Sequence, residues 1–380
     1  MQNINYNKHF IDKKDINAII SCFKSENITQ GKLVEKFERN LSNKFKSRFC
    51  IALSSGTAAL HLSLLSLGIK KNDIICSSPI TFLSAANMVK TCGGKNIFID
   101  IDKKTNNINV SKLEKFLRKK KKVKAVIATD YGGLPCDWKR LKFLSKKYKF
   151  FLINDNCHAI GSKYYGDIGY AVKYADLVTH SYHAVKNITT GEGGSVLTNN
   201  KNLFKKIKIL RNHGLEKISK NIENPNWPYR LNFLGFNYRI TDFQCALGSS
   251  QLKKLSIFIK RRREIANIYY KKLDKFDCIE LPQKNKNIFN SFHLFPIKIH
   301  FNRIRINKKA FILNLKKQGI NLQVHYFPVH KHRIHKKNYS KLLNAEMFYK
   351  NSVSLPIYFS LKNKQVDKIC SSLKRFIIKK

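Results

Sequence analysis

Nowhere in the 380-residue chain do about 18 apolar positions run together, so no segment reads as a membrane-spanning helix. The opening stretch MQNINYNKHFIDKKD is polar and lacks the apolar centre of a secretory signal. Nine cysteines are present, but they are scattered and none stands in a CxxC pair. That spacing offers neither a zinc cage nor a disulfide framework, and an odd number of separate thiols fits a reducing compartment. A cytoplasmic protein is therefore expected. Acidic residues are scarce as well: 24 Asp and Glu face 73 Lys and Arg, a net charge of +49. Such a chain could bind nucleic acid or an anionic surface. Its positive residues are nevertheless spread over the whole length, with RKKKKVK at 118–124 the densest run, and stretches such as KKTNNINVSK mix them with Asn and Ile. This is the pattern of a solvated surface under a compositional bias, and neither nucleic acid nor membrane is expected as a partner. A positive field would help draw an anionic nucleotide-linked substrate to its cleft.

What is present is the raw material of a layered α/β fold. Apolar residues make up 43% and aromatics 12% of the chain, enough for packed cores. Short β-branched runs alternate with longer helical stretches, the mark of a largely parallel sheet. Seven strands are expected, at 48–53, 73–78, 96–100, 123–129, 150–155, 177–182 and 194–198. Between the first two, AALHLSLLSL is apolar nearly all round, as a buried helix must be. From Gln251 the spacing predicts one long amphipathic helix leaving the sheet. The expected division is a large α/β domain over 1–250, with an N-terminal arm, and a smaller α+β domain over 251–380.

Ligand sites in such sheets form beyond the strand ends, and four of those ends carry unusual polar groups. In SSGTAAL, Gly56 permits a tight turn into a helix, and the N–H groups of Thr57 and Ala58 could meet a phosphate; the same Ser and Thr are also ordinary helix caps. Phe82, just past a strand, could stack on a flat heterocycle or belong to the core. Asp155 ends the apolar run FFLIND. A carboxylate there is costly to desolvate without a cation, which a protonated pyridine nitrogen would supply, although it could equally cap the next helix. His158 could reach the same ring. In THSYHAVKNITTGEGGSV, Lys186 follows a strand and precedes a turn in which Gly191, Gly193 and Gly194 constrain the backbone, while Ser181 is near enough to donate to a phosphate. Among so many basic residues a surface lysine is the ordinary reading. The combination nevertheless matches what pyridoxal phosphate requires: an amine for a Schiff base, an anion at the ring nitrogen, and donors for the phosphate.

These motifs, with RNHG at 211–214, LGFNYRITDFQCALGSSQL at 234–252, VHYFPVH at 324–330 and AEMFYKNSVSLPIY at 345–358, resemble the DegT/DnrJ/StrS family of sugar aminotransferases over nearly the whole chain. The resemblance implies an aspartate-aminotransferase-type fold (fold type I), a homodimer, pyridoxal 5'-phosphate as cofactor, and catalysis by Lys186 and Asp155. It places His158 and Phe82 against the ring and Gly56, Thr57, Ala58 and Ser181 at the phosphate, with Asn237 reaching the site of the partner subunit. A lysine at 186, where dehydratase members carry histidine, implies transamination. SYHAVKNITTGEGGSV, GGLPCDW and Tyr6 look most like the aminotransferases of the pseudaminic-acid pathway. Those move an amino group from L-glutamate to the 4-keto position of a UDP-linked 4-keto-6-deoxy-N-acetyl-altrose derivative. Substrate contacts are then expected from Tyr6, Thr29, Gln30, Gly31, Lys32, His325 and Tyr326. Ala184 and Asn187 stand where that subgroup usually has proline, and Asn154 and Asn156 replace commoner acidic and small residues beside the aspartate. The rival readings are an aminotransferase for another keto-sugar, dTDP-linked for example, and a nucleic-acid-binding protein on the same scaffold.

Overall fold

A computed structural model describes residues 3–119, 122–217, 229–304, 306–336 and 341–378. The first strands are β1 (Phe49–Leu53), β2 (Ile74–Ser77), β3 (Lys95–Phe98), β4 (Val123–Thr129) and β5 (Phe151–Asp155). A two-residue strand, β6 (Lys163–Tyr164), then leaves the layer, and β7 (Leu177–Ser181) and β8 (Gly194–Thr198) return to it. Seven of these form one sheet in the order β1-β8-β7-β5-β4-β2-β3. Only β8 runs against its neighbours; the other pairings are parallel. All seven expected strands are found, two with the expected bounds and the others with ends shifted by one or two residues.

The sheet is buried on both faces. Along β1, Cys50 and Ala52 join one core cluster, while Ile51 and Leu53 join another that contains the helix Gly56–Ser66. That helix is apolar on every side because it is wrapped by sheet and neighbouring helices, with nine of its residues buried. The helix Lys32–Phe45 instead buries one stripe, Val34, Phe37, Leu41 and Phe45.

The long helix spans Asp242–Leu273 and therefore begins nine residues before the position expected from hydrophobic spacing. Its start is set by a reciprocal cap, in which Thr241 and Gln244 each bond the other's backbone N–H. Its first half gives Cys245, Leu252, Leu255, Phe258 and Ile259 to the sheet core. Its second half gives Ile265, Ala266, Tyr269, Tyr270 and Leu273 to a separate cluster, where Ile4 of the N-terminal arm also packs. Between the two halves lies Arg262, whose buried guanidinium donates to the carbonyls of Phe292, His293 and Ile357. The expected boundary at 250/251 thus falls inside this helix.

Beyond β8, β9 (Leu215–Lys217) pairs with β10 (Tyr229–Leu231). The second cluster is built on a three-stranded antiparallel sheet of β11 (Ile279–Glu280), β13 (Phe295–Ile299) and β14 (Ser352–Leu355), while β12 (Ile288–Phe289) pairs with β6. Helices Lys308–Lys317 and Asn363–Ile378 cover it. No helix among the described residues is long and apolar enough to cross a membrane.

Candidate active site

Strands β4, β5 and β7 run parallel and end side by side, which brings Thr129, Asp155 and Ser181 to one edge of the sheet. The turn after β1 closes against the same edge. A Cβ on Gly56 would meet Ser181 Cβ at 2.8 Å, and one on Gly194 would meet the Ser55 carbonyl carbon at 2.4 Å. Only a residue without a side chain lets this helix start lie so near the ends of β7 and β8. Ser55 Oγ accepts the Ala58 N–H at 3.1 Å. That donor is therefore used within the helix cap, instead of standing open as the sequence suggests.

Asp155 is buried. Its carboxylate accepts from Thr129 Oγ1 at 3.2 Å and from the Cys157 N–H at 3.3 Å. Among the described residues no cationic side chain forms an ion pair with it. A buried anion left in this state needs a cation from elsewhere. Lys186 stands in the turn after β7, where its N–H donates to the His183 carbonyl at 2.9 Å. It keeps some exposure, yet its amine lies in poorly solvated surroundings. Burial pulls the ammonium below its usual range, and the neighbouring Cys157 and Asp155 oppose that shift.

On the other side an aromatic group closes the site. The Gly132 N–H donates to His158 Nδ1 at 3.4 Å, which places the ring proton on Nε2, 3.0 Å from the Tyr326 hydroxyl. The two rings lie 5.9 Å apart and nearly parallel, at 23°. Burial, helped by the nearness of Lys186 and His325, pushes His158 well below the usual histidine range, so it is a neutral ring. Phe82 is 55% exposed and edge-on to Tyr326 at 6.1 Å, so of its two sequence readings it is not a core residue. Tyr6 lies 5.5 Å from His325, whose Nδ1 is 2.9 Å from Ser354 Oγ. Burial brings His325 down to about 3.

Sequence reasoning missed several neighbours. His293 lies tilted against His158 at 4.7 Å, buried with Nδ1 unpartnered. Tyr131 donates its hydroxyl to the His325 carbonyl. Both come from loops far away in sequence, and a lone histidine in SFHLFPI carries no local signal. Thr129 had one, as the polar residue closing VKAVIAT.

The remaining expected residues lie apart from this group in the single chain. Thr29 pairs with Thr241, and the Gly31 N–H donates to Asp242 Oδ2 at 2.7 Å. Gln30 takes a left-handed backbone (φ 56°), and Lys32 is exposed. No hydrogen bond, ion pair or ring contact among the described residues joins these four to Lys186, Asp155 or His158. Asn237 is exposed and bridges to Asn212. Its neighbour Tyr238 accepts the Ser54 N–H at 2.9 Å, so Asn237 stands beside the turn that contains Gly56.

The sequence pattern of the DegT/DnrJ/EryC1/StrS aminotransferase family matches residues 9–374. The chain belongs to that family. It is a pyridoxal-phosphate-dependent sugar aminotransferase with the family's α/β fold. It is 38% identical over 377 residues to the UDP-4-amino-4,6-dideoxy-N-acetyl-beta-L-altrosamine transaminase of Campylobacter jejuni, covering 97% of this chain and 96% of that one. GDP-perosamine synthase of Escherichia coli O157:H7 is 31% identical over 364 residues, 96% of this chain and 95% of the relative. Among solved structures, Helicobacter pylori PseC, an aminotransferase involved in the biosynthesis of pseudoaminic acid, superposes with a TM-score of 0.91 at 30% identity, covering 99% of both chains. The residues present suit the family's cofactor. Asp155 is a buried carboxylate with no ion-pair partner among the described residues, the Lys186 amine has a lowered pKa, and the glycines at 56 and 194 let a helix start close on the strand ends.

Proposed function

We propose that this aminotransferase moves an amino group from L-glutamate to the 4-keto position of a UDP-linked 4-keto-6-deoxy-N-acetyl-altrose derivative, on the route to pseudaminic acid, as a cytoplasmic homodimer. The observation that carries this reading is the nearness of the Lys186 amine, depressed in pKa by burial, to the buried Asp155 carboxylate, which has no ion-pair partner among the described residues. The choice of sugar is supported by the named likeness to altrosamine transaminase and PseC.

In this reading each residue has a definite task. Lys186 Nζ, favoured in its neutral form by burial, takes the proton from the α-carbon of glutamate and later returns one to the sugar carbon. When bound, pyridoxal phosphate supplies the carbon that carries the amino group between the substrates and a ring that withdraws electrons during C–H cleavage. Asp155 holds the ring-nitrogen proton, and Thr129 Oγ1 steadies the carboxylate from behind. Gly56, Thr57 and Ser181 hold the phosphate, with Ala58, whose N–H stays on Ser55, closing the turn behind them, and His158 and Phe82 flank the ring. Neutral His158 adds no positive charge that would compete with the ring nitrogen for Asp155. Asn237 reaches the site of the second subunit. Tyr6, Thr29, Gln30, Gly31, Lys32, His325 and Tyr326 bind the sugar nucleotide, the four from the 29–32 turn acting across the dimer.

Borohydride reduction of the wild-type holoenzyme is expected to leave cofactor on the peptide that contains Lys186. Lys186→Ala should show neither this label nor turnover; a variant that still turned over would remove the lysine from its role. Asp155→Asn should lower kcat/KM by about 10²- to 10³-fold, the size expected when one preorganised charge is lost. The sugar is tested by incubating enzyme and glutamate with UDP- and dTDP-linked keto-sugars and identifying products by NMR. Amination of only the dTDP sugars would overturn the UDP-altrose assignment and leave the transaminase in place.

A further inference from the structure

We propose that Asp130 is a positioning residue that aims Asp155, by clamping both of its chain neighbours from the opposite face of the sheet. This rests on the reading of Asp155 as the partner of the cofactor's ring nitrogen. Asp130 follows β4 and is fully buried. Its Oδ2 accepts from Asn154 Nδ2 at 3.2 Å, from Asn156 Nδ2 at 3.0 Å and from the Tyr170 hydroxyl at 2.7 Å. Its Oδ1 accepts from the Cys136 N–H at 2.7 Å and from Trp138 Nε1 at 2.9 Å. The Asp130 N–H in turn donates to the Asp155 carbonyl at 3.2 Å. Thus the residues before and after Asp155 are tied to one oxygen atom, and its own carbonyl to the same residue's backbone.

Strand alternation puts Asn154 on the face opposite Asp155. The clamp therefore grips β5 from behind and leaves the Asp155 carboxylate facing the site. Asn154 Oδ1 is buried without a partner. Turning the amide over would set that oxygen against a carboxylate, so the unpaired atom is the consequence of giving the NH2 group to Asp130. The same contact accounts for Asn154 and Asn156, the two departures from the family pattern beside the aspartate. An acid at 154 would press a second carboxylate against Asp130, whereas two amides supply donors. Burial raises Asp130 to about 6 against the pull of the Cys136 N–H and the Tyr170 hydroxyl, so the clamp is anionic at neutral pH.

The test uses holoenzyme loaded with cofactor labelled with 15N in the ring, whose chemical shift reports whether that nitrogen carries a proton. Loosening Asp155 weakens the anion that holds the proton. Asp130→Asn should therefore shift the nitrogen titration about one pH unit lower, a tenfold loss of proton affinity. Asp155→Asn should shift it further. The double variant D130N/N154D restores the contact between 130 and 154 with donor and acceptor exchanged, but not the tether to Asn156, and should recover part of the shift. Should D130N fail to fold, Asn156→Ala removes one tether and is expected to move the titration the same way by less. A lowered melting temperature with an unmoved nitrogen titration in D130N and N156A, while D155N still shifts it, would overturn the positioning role and leave Asp155 in place. An unmoved titration in D155N itself would overturn the Asp155 reading and this inference with it.

Discussion

Two glycines set how closely the candidate phosphate-binding turn approaches the sheet, and they should respond differently to a methyl group. At Gly56 the added carbon would meet a side-chain atom of Ser181, whereas at Gly194 it would meet the Ser55 backbone. Gly56→Ala should mainly weaken cofactor binding, measured by fluorescence titration. Gly194→Ala should lower the unfolding free energy by about 1–3 kcal/mol in urea melts, because backbone has to move. The buried histidines give a pH signature. His158 and His293 are held well below the ordinary histidine value, and His325 lies at about 3, in each case chiefly by burial. The unfolded chain protonates all three near pH 6.5 while the folded chain does not, so this contribution is complete above that pH and is lost as pH falls. Each histidine adds a slope of about 1.4 kcal/mol per pH unit below pH 6.5, and Asp130, raised to about 6, partly offsets this between about pH 6 and 4. Melting temperatures measured from pH 7.5 to 5 should fall accordingly, and His293→Leu should flatten the fall. The candidates Asp155 and Lys186 were legible as local features of the sequence, Asp155 as a polar residue ending an apolar run and Lys186 as a lysine before a glycine-rich turn. Asp130 and His293 were not, since their meaning comes from partners on other strands and loops.

The seven strands were readable for the same local reason. Each is a short apolar run ended by a turn, and burial on both faces removes the alternation that could have confused it with an exposed strand. The start of the long helix was hidden because its first turns pack on the sheet and lack an amphipathic stripe; the informative signal was the Thr241–Gln244 cap. Gly161 controls how that helix meets the sheet layer. It has φ +84°, and a Cβ there would meet Ile259 Cδ1 at 2.2 Å. Gly161→Ala is expected to destabilise the protein by about 1–3 kcal/mol through left-handed backbone and overpacking together. Adding Ile259→Val would relieve the contact but not the backbone strain, so thermal melts of the pair should show partial recovery.

The whole molecule carries +49 charges spread without a stripe, which makes the charge a property of the field around it. For an anionic nucleotide-sugar, raising ionic strength from about 0.05 to about 0.5 M should raise KM several-fold and leave kcat nearly unchanged, because screening acts on encounter and not on proton transfer inside the site. The spread of the charge along the chain spoke against nucleic acid, and the strand-end residues then pointed to an enzyme. The helix Asp242–Leu273 has one further implication. It walls both interiors, and Arg262 donates to backbone carbonyls between them. A cut at 250/251 would strip each fragment of part of its lining, so the two halves expressed separately should aggregate, and recover only when refolded together.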